Sequence, residues 1–197
     1  TVSATININQ APTVSFISNA PQCANTGVNF TNTGSTGGNW TFFWDFGVGA
    51  MPQTSTAENP AGILYSTAGT KTITITVTNN GLCAQTITGT IIINQTPTAS
   101  FSSTAPGCTG SNVDFTNTGT VTGVTWLWNL GSGATPATST IQNPTGVIYS
   151  TAGTKSVTLT TTDATTGCNA TAMQTINISQ TPAPSFSSNA PQCVGTA

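Results

Sequence analysis

Charged residues are almost absent from this chain of 197 residues. It has two lysines, no arginine, no histidine and four acidic residues, so that charged side chains make up only 3% of the sequence. Soluble proteins usually carry about a quarter. Without a basic surface, the chain has nothing to neutralise a phosphate backbone. Nucleic acids are therefore excluded as partners.

Long hydrophobic runs are also missing. No stretch approaches the ~18 consecutive apolar residues of a membrane helix, so we expect no membrane span in this segment. Apolar residues nevertheless make up 36% of the sequence, which is enough for a packed core. β-Branched residues are abundant, which favours strands, and no helical periodicity is visible. The composition predicts an all-β protein.

The cysteines reveal an internal repeat. Cys23, Cys108 and Cys193 lie 85 residues apart, and Cys83 and Cys168 repeat the same spacing. Longer segments return with nearly the same period: WDFG as WNLG, and ENPAGILYSTAGTK as QNPTGVIYSTAGTK. The small length differences fall in turn-like segments, where loops absorb them.

This repeat divides the chain into units. Prolines at the joints, in NQAP, NQTP and SQTP, are typical of a linker that leads into an edge strand. Two complete units span residues 10–94 and 95–179. Residues 1–9 match the last strand of a preceding unit, and residues 180–197 match the start of a following one. We therefore expect the chain to be a window on a longer tandem array.

Each unit contains strong strand signals. Residues 72–78, TITITVT, alternate so that Ile73, Ile75 and Val77 share one face. Turn residues interrupt the apolar pattern about every ten residues, and about seven short strands per unit indicate a β-sandwich. The predicted core residues are Trp44, Phe46 and Tyr65 in the first unit and Trp128, Leu130 and Tyr149 in the second.

The motifs WDFG, ENP and LYSTAGTKTITITVTNNGLC together resemble the polycystic kidney disease (PKD) repeat. The resemblance implies tandem immunoglobulin-like sandwiches of seven strands, of the kind found in large surface proteins and as spacers in secreted hydrolases. Some positions depart from the family pattern. Val48 and Ser132 replace the second aspartate of the hallmark, and Lys71 and Lys155 replace an aromatic residue.

Acidic residues do not recur between the units. Acid–base catalysis and hard-metal sites both need carboxylates in a fixed arrangement, and a hydroxyl nucleophile here lacks a histidine base. We expect no enzyme activity, no catalytic residue, no metal site and no cofactor. The aligned pairs are Asp45 with Asn129, Glu58 with Gln142, Asn29 with Asp114, and Asn79 with Asp163.

Two lysines form the one charged position that does recur. Lys71 and Lys155 permit two interpretations. One is an autocatalytic Lys–Asn isopeptide bond, which needs a buried lysine, a facing asparagine and a neighbouring acid. The other is a solvated strand end that discourages edge-to-edge aggregation.

Aromatic residues raise the question of a sugar-binding face. Phe43 and Leu127 alternate with the core tryptophans and are expected to point outward. A platform for sugar stacking should stay aromatic in every unit, but Phe43 is replaced by Leu127 and Trp40 by Val124. Lateral packing is therefore favoured over ligand binding.

Strand direction constrains the cysteine pairing. Cys23 lies between strand A (14–17) and strand B (28–31), which places it at the far pole of its unit. Cys83 follows strand F (72–78) across a tight turn, which places it at the near pole. A strand of eight residues is roughly 26 Å long, whereas a disulfide needs Cα atoms within about 7 Å.

We therefore predict a Cys23–Cys168 bond between successive repeats. Cys83, Cys108 and Cys193 are then left to pair outside this segment. Bonds within a unit, Cys23–Cys83 and Cys108–Cys168, remain open if strand A crosses between sheets differently, and so do free thiols.

Paired cysteines in every unit are typical of an oxidising exterior, and tandem small domains with short linkers form rods. The predicted function is a structural segment of a long extracellular fibre, stalk or adhesin of a prokaryotic cell. The expected partners are neighbouring repeats of the same chain, with lateral homo-association into a fibre. The alternatives are a spacer or carbohydrate-binding module of a secreted multidomain enzyme, and a receptor-like ectodomain.

Overall fold

The structure of the chain, a computed structural model, describes residues 3, 8–80 and 83–187. Strands are the regular structure of these residues, and no helix occurs among them. Most of the expected flanking fragments, residues 1–9 and 180–197, lie outside the described residues, and Cys193 does so as well. The predicted all-β fold is confirmed.

Two compact units make up the chain. The first consists of Thr1–Pro97 together with Thr162–Asn169, and the second of Thr98–Thr161 together with Ala170–Ala197. The segment Thr162–Asn169 is a hairpin loop in the sequence of the second repeat, but its contacts group it with the first unit.

The first unit is a two-layered sandwich. One layer is a five-stranded sheet in the order β2-β9-β8-β4-β6, in which only β2 runs parallel to its neighbour. The pairs β1-β3 and β5-β7 form the other layer, linked by the isolated bridge between Val28 and Ile63. The strands are β1 (Phe16–Ser18), β2 (Gln22–Cys23), β3 (Phe30–Asn32), β4 (Trp40–Asp45), β5 (Ala50–Met51), β6 (Thr54–Ser55), β7 (Leu64–Tyr65), β8 (Gly69–Asn79) and β9 (Cys83–Asn94).

The second unit repeats this plan. Its five-stranded sheet has the order β11-β19-β18-β14-β16, and β10-β13 and β12-β17-β15 form the other layer. The strands are β10 (Phe101–Ser103), β11 (Gly107–Cys108), β12 (Asn112–Val113), β13 (Phe115–Asn117), β14 (Val124–Asn129), β15 (Ala134–Thr135), β16 (Thr138–Ser139), β17 (Val147–Tyr149), β18 (Gly153–Asp163) and β19 (Asn169–Ser179).

The longest ladder in the first unit is the β8–β9 hairpin, paired from Gly69↔Ile93 to Asn79↔Cys83. Its inner face carries the buried β-branched residues of the alternating pattern, and threonines line the outer face. Cross-strand hydroxyl pairs connect that outer face, with Thr76 Oγ1 lying 2.8 Å from Thr86 Oγ1. A strict period of two therefore fixes which face is buried.

Tryptophan and tyrosine anchor both cores. Trp44 and Trp128 are fully buried, and their indole N–H groups donate to the carbonyl oxygens of Ala57 at 2.9 Å and Ile141 at 3.0 Å. These bonds satisfy the one polar atom of each ring. All six predicted core residues are buried.

The tyrosines fasten the two layers of each unit together. Tyr65 Oη donates to the carbonyl oxygen of Phe46 at 2.9 Å, and Tyr149 Oη donates to that of Leu130 at 2.6 Å. Burial raises the pKa of each phenol to about 12. In the first unit the carboxylate of Asp45 adds a smaller contribution in the same direction.

Candidate functional site: the Cys23–Cys168 disulfide

At one turn of each unit a side-chain oxygen accepts a hydrogen bond from a glycine N–H. Asp45 Oδ1 accepts from the Gly47 N–H at 2.8 Å, and Asn129 Oδ1 accepts from the Gly131 N–H at 3.0 Å at the equivalent position. An amide oxygen does the same work as a carboxylate oxygen here. This explains why the acid at this position need not recur.

The same exchange occurs at a contact between distant parts of the sequence, with the residue types reversed. Asn29 Oδ1 accepts from the Gly62 N–H at 2.8 Å, and Asp114 Oδ1 accepts from the Gly146 N–H at 2.7 Å. Among the described residues, no group of three or more His, Cys, Asp and Glu side chains lies close enough to hold a metal ion. None of the described segments is a helix with the length and apolarity to cross a membrane.

The two lysines brace the turn before their own strands. Lys155 Nζ donates to Thr151 Oγ1 at 2.8 Å, and Lys71 Nζ donates to Thr67 Oγ1 at 2.9 Å. Lys71 Nζ also lies 5.7 Å from the ring centroid of Tyr65. The interpretation of a solvated strand end is wrong for Lys155, which is 4% exposed.

Phe43 and Leu127 point outward from their strands, as their alternation with the core residues predicted. They are 51% and 56% exposed. Phe43 lies opposite Thr76 in the ladder between β4 and β8. No second aromatic residue faces outward beside it on β4, because Trp40 is half-buried against the core.

Cys23 is held at the end of the two-residue strand β2. This strand runs parallel to the last residues of β9, with Cys23 in register with Asn94. The following residue continues the attachment, because the Ala24 N–H donates to the Asn94 carbonyl oxygen at 2.9 Å. Asn25 then takes a left-handed conformation, with φ of 65°, and its N–H donates to the carbonyl oxygen of Tyr65 at 2.8 Å.

Cys168 lies in a loop that Asp163 organises. Asp163 Oδ1 accepts from the backbone N–H groups of Thr165 at 3.0 Å and Thr166 at 2.8 Å, and from the Thr166 hydroxyl at 2.9 Å. These bonds lower the pKa of the Asp163 carboxyl, the backbone bond from Thr166 most of all. The loop closes where the Asp163 N–H donates to the Cys168 carbonyl oxygen at 2.8 Å.

The two cysteines are joined by a disulfide. The Sγ–Sγ distance is 2.00 Å and the Cα atoms are 5.7 Å apart, although 145 residues separate them in sequence. Of the pairings that the sequence left open, the structure contains this one. Cys83 and Cys108 are free thiols, so the alternative bonds Cys23–Cys83 and Cys108–Cys168 are not formed.

The sequence interpretation missed the residues that shape the Cys168 loop. In the sequence comparison Asp163 is a candidate acid that does not recur between the units, and this comparison does not indicate its role in the loop. The segment DATTG does carry a turn signal, because an aspartate followed by threonines caps backbone N–H groups in short loops. That signal identifies Asp163 as a structural acceptor.

Together, the sandwiches and the long-range disulfide define a tandem immunoglobulin-like β protein. The family model of the PKD domain matches residues 9–93 and 94–178, and the chain therefore belongs to the PKD domain family. No curated protein matches the chain.

Several solved structures are similar to this chain. The PKD1 domain of Vibrio anguillarum Epp is 28% identical, with 45% of this chain and 99% of that one covered and a TM-score of 0.37. The D00-D0 domain of intimin is 12% identical, with 83% and 99% covered and a TM-score of 0.36. A carbohydrate-binding module of the β-sandwich superfamily is 16% identical, with 88% and 86% covered and a TM-score of 0.38.

Proposed function

We propose that this chain is a structural segment of a long extracellular fibre, stalk or adhesin in which disulfides connect successive repeats. The Cys23–Cys168 bond is the observation that carries the proposal. It connects a residue of the first family match to a residue of the second. Such a bond persists in an oxidising environment, which supports a location outside the cell or at its surface.

The position of this bond in the sequence means that it transmits a pulling force. A pulling force applied to the chain ends passes from Cys23 directly to Cys168, since the covalent bond shortens the path. The residues between them, which include most of both cores, are bypassed. A fibre made of such segments extends little under force, even where a sandwich opens.

The nearly uncharged surface supports an extracellular structural role as well. With 3% charged residues, few groups titrate and salt has few charges to screen. Asp45, Asp114 and Asp163 already accept hydrogen bonds from backbone N–H groups. Low charge also removes a repulsive barrier to side-by-side association of chains, which is part of the proposal.

Single-molecule force spectroscopy on the full chain, held at its two ends, tests this function. Reduction should lengthen the fully extended chain by about 50 nm, because 145 residues at roughly 3.3–3.6 Å each are released. Cys168→Ser should show the longer extension without reductant, and Cys83→Ser should behave as the unaltered chain. Equal extension of the oxidised and reduced chains contradicts the proposal.

A further inference from the structure

We propose that Cys108 of one repeat pair forms a disulfide with Cys83 of another repeat pair. This bond would be equivalent to the Cys23–Cys168 disulfide. The partner is a further repeat of this type, and a second copy of this chain supplies it in solution. The inference rests on the proposed function, because it extends the Cys23–Cys168 bond into a series. It concerns two thiols that are free and half-buried in the structure.

The backbone around Cys108 makes the same contacts as the backbone around Cys23. Strand β11 runs parallel to the end of β19, with Cys108 in register with Ser179, as Cys23 is with Asn94. The Thr109 N–H donates to the Ser179 carbonyl oxygen at 2.9 Å, which reproduces the bond made by the residue after Cys23. The cysteine therefore has the same backbone support as one that is already bonded.

The turn after Cys108 also matches its counterpart. Gly110 has a φ of 81°, and its N–H donates to the Tyr149 carbonyl oxygen at 3.0 Å, just as Asn25 bonds to Tyr65. A positive φ is open to glycine and tolerated by asparagine, so the two sequences adopt one turn. The Ser111 N–H closes it on the carbonyl oxygen of Cys108 at 3.0 Å.

Cys83 lies beside the linker that precedes the first repeat. Its Sγ is 3.9 Å from the carbonyl oxygen of Asn9, and Asn79 Nδ2 donates to the carbonyl oxygen of Gln10 at 3.2 Å. Asn9 is the repeat equivalent of Asn94, since both begin the segment NQ(A/T)P. The end of β8 and the start of β9 at Cys83 therefore lie against the residue position at which one repeat finishes.

Cysteines of the Cys23 type and of the Cys83 type both lie beside the residue that ends a repeat. Within the first unit, Cys23 is the register partner of Asn94. The Cys83 thiol lies beside Asn9, the equivalent of Asn94. A cysteine of the Cys23 type in the repeat that ends at Asn9 is thus brought towards Cys83. Cys108 is such a cysteine, because its register partner Ser179 is the equivalent of Asn94.

Forming this bond oxidises two thiols and needs an oxidant, for which we name glutathione disulfide. One thiolate attacks it, displaces one glutathione thiolate and becomes a mixed disulfide. The second protein thiolate then attacks the protein sulfur of that mixed disulfide and displaces the second glutathione. Two protein thiols and one glutathione disulfide thus give one protein disulfide and two glutathione thiols.

The test is a mixing experiment with full-length chains in which Cys193 is also replaced by serine. One variant carries Cys83→Ser and keeps the Cys108 thiol, and the other carries Cys108→Ser and keeps the Cys83 thiol. With glutathione disulfide, we expect a covalent dimer in the equimolar mixture and monomers in each variant alone. A chain with both thiols should give a ladder of multimers.

Non-reducing peptide mapping decides which sulfurs are joined. A Cys83–Cys108 cross-linked peptide supports the inference. Dimers of either variant alone, or a Cys23–Cys83 peptide, overturn it. A tandem chain with residues 10–179 repeated in series raises the effective concentration of the partner thiol to about the millimolar range. Two persistent free thiols at this joint overturn the inference as well.

The same digest separates the two proposals. The Cys23–Cys168 peptide reports on the proposed function, and the Cys83–Cys108 peptide reports on the inference alone. If the first is present and the second absent from both the mixture and the tandem chain, only the inference fails. If the first is absent, the proposed function fails.

Discussion

Thr161 occupies the position in the core of the second unit that Val77 occupies in the first. Both residues are fully buried, on β18 and β8 respectively. The hydroxyl Oγ1 of Thr161 has no hydrogen-bond partner. A buried polar group without a partner loses its hydration and gains nothing in return. At this position the second core therefore contains an unpaired hydroxyl group, whereas the first contains an apolar side chain.

Replacing Thr161 by valine should stabilise the second unit by about 1–3 kcal/mol, because the change removes the unpaired hydroxyl and keeps the shape of the side chain. Urea unfolding followed by tryptophan fluorescence measures the effect. The matched control, Val77→Thr, should destabilise the first unit by a similar amount. A lower stability for Thr161→Val contradicts the assignment of this hydroxyl as unsatisfied.

Replacing Trp128 by alanine should destabilise the second unit by about 3–5 kcal/mol, because the change leaves a large cavity in the core. The control is Leu127→Ala on the same strand. Leu127 is 56% exposed, so its truncation should change the stability by about 0.5 kcal/mol or less. Equal effects of the two changes in chemical unfolding refute the burial of Trp128.

The alternating strands could be predicted because a period of two leaves a clear mark in the sequence. The same alternation places Lys71 and Lys155 on the inner face with Ile73 and Val157, yet charge alone argued for solvent. Lys155 is buried, and its ammonium group donates to the hydroxyl of Thr151. For Lys155, the alternating pattern therefore predicts burial better than the charge of the residue does.

Two features were beyond the reach of sequence patterns. Strand β2 is two residues long, so it shows no periodicity, although it fixes the position of Cys23. The acceptor role of Asp45 was not apparent either. Its counterpart Asn129 is a different residue type, although both side chains accept the same kind of hydrogen bond. Both features depend on backbone geometry rather than on side-chain pattern.

Stability at low pH should depend on Asp163. Its pKa in the folded protein lies below the ordinary value of 3.8, because N–H and O–H groups of the loop donate to the carboxylate. The unfolded chain therefore binds a proton first as the pH falls. The stabilisation is present above about pH 3.8 and is lost as the pH falls through the folded pKa.

Thermal unfolding between pH 2 and pH 6 measures this loss. The variant Asp163→Asn keeps an acceptor oxygen and has no titrating group, so its midpoint should fall less over the same range. Asp163→Ala removes the acceptor and should expose the Cys168 loop to proteolysis at neutral pH. Parallel pH profiles for the unaltered chain and Asp163→Asn would show that the carboxylate bonds add no stability.

Stability at high pH should depend on Tyr65 and Tyr149. Burial raises the pKa of both phenols from 10.0 to about 12 in the folded protein. The unfolded chain therefore loses these protons first, so that stability is complete below pH 10 and falls as the pH rises towards 12. Unfolding midpoints from pH 8 to pH 12 measure the fall, and ultraviolet titration of the folded chain should show both phenols ionising late. Phenols that ionise near pH 10 in the folded chain contradict the prediction.

Removing the disulfide should have the largest effect on complete unfolding. The bond closes a loop of 145 residues, and the chain-entropy relation gives about 5 kcal/mol for a loop of that size. Cys23→Ser should therefore lower the free energy of unfolding by up to about 5 kcal/mol, and Cys168→Ser by a similar amount. Cys83→Ser is the matched control, because its thiol is unpaired and its loss should cost about 0.5 kcal/mol or less. Equilibrium unfolding in guanidinium chloride measures all three variants against the reduced and oxidised chain. If Cys23→Ser and Cys83→Ser are equally stable, the bond does not constrain the unfolded chain.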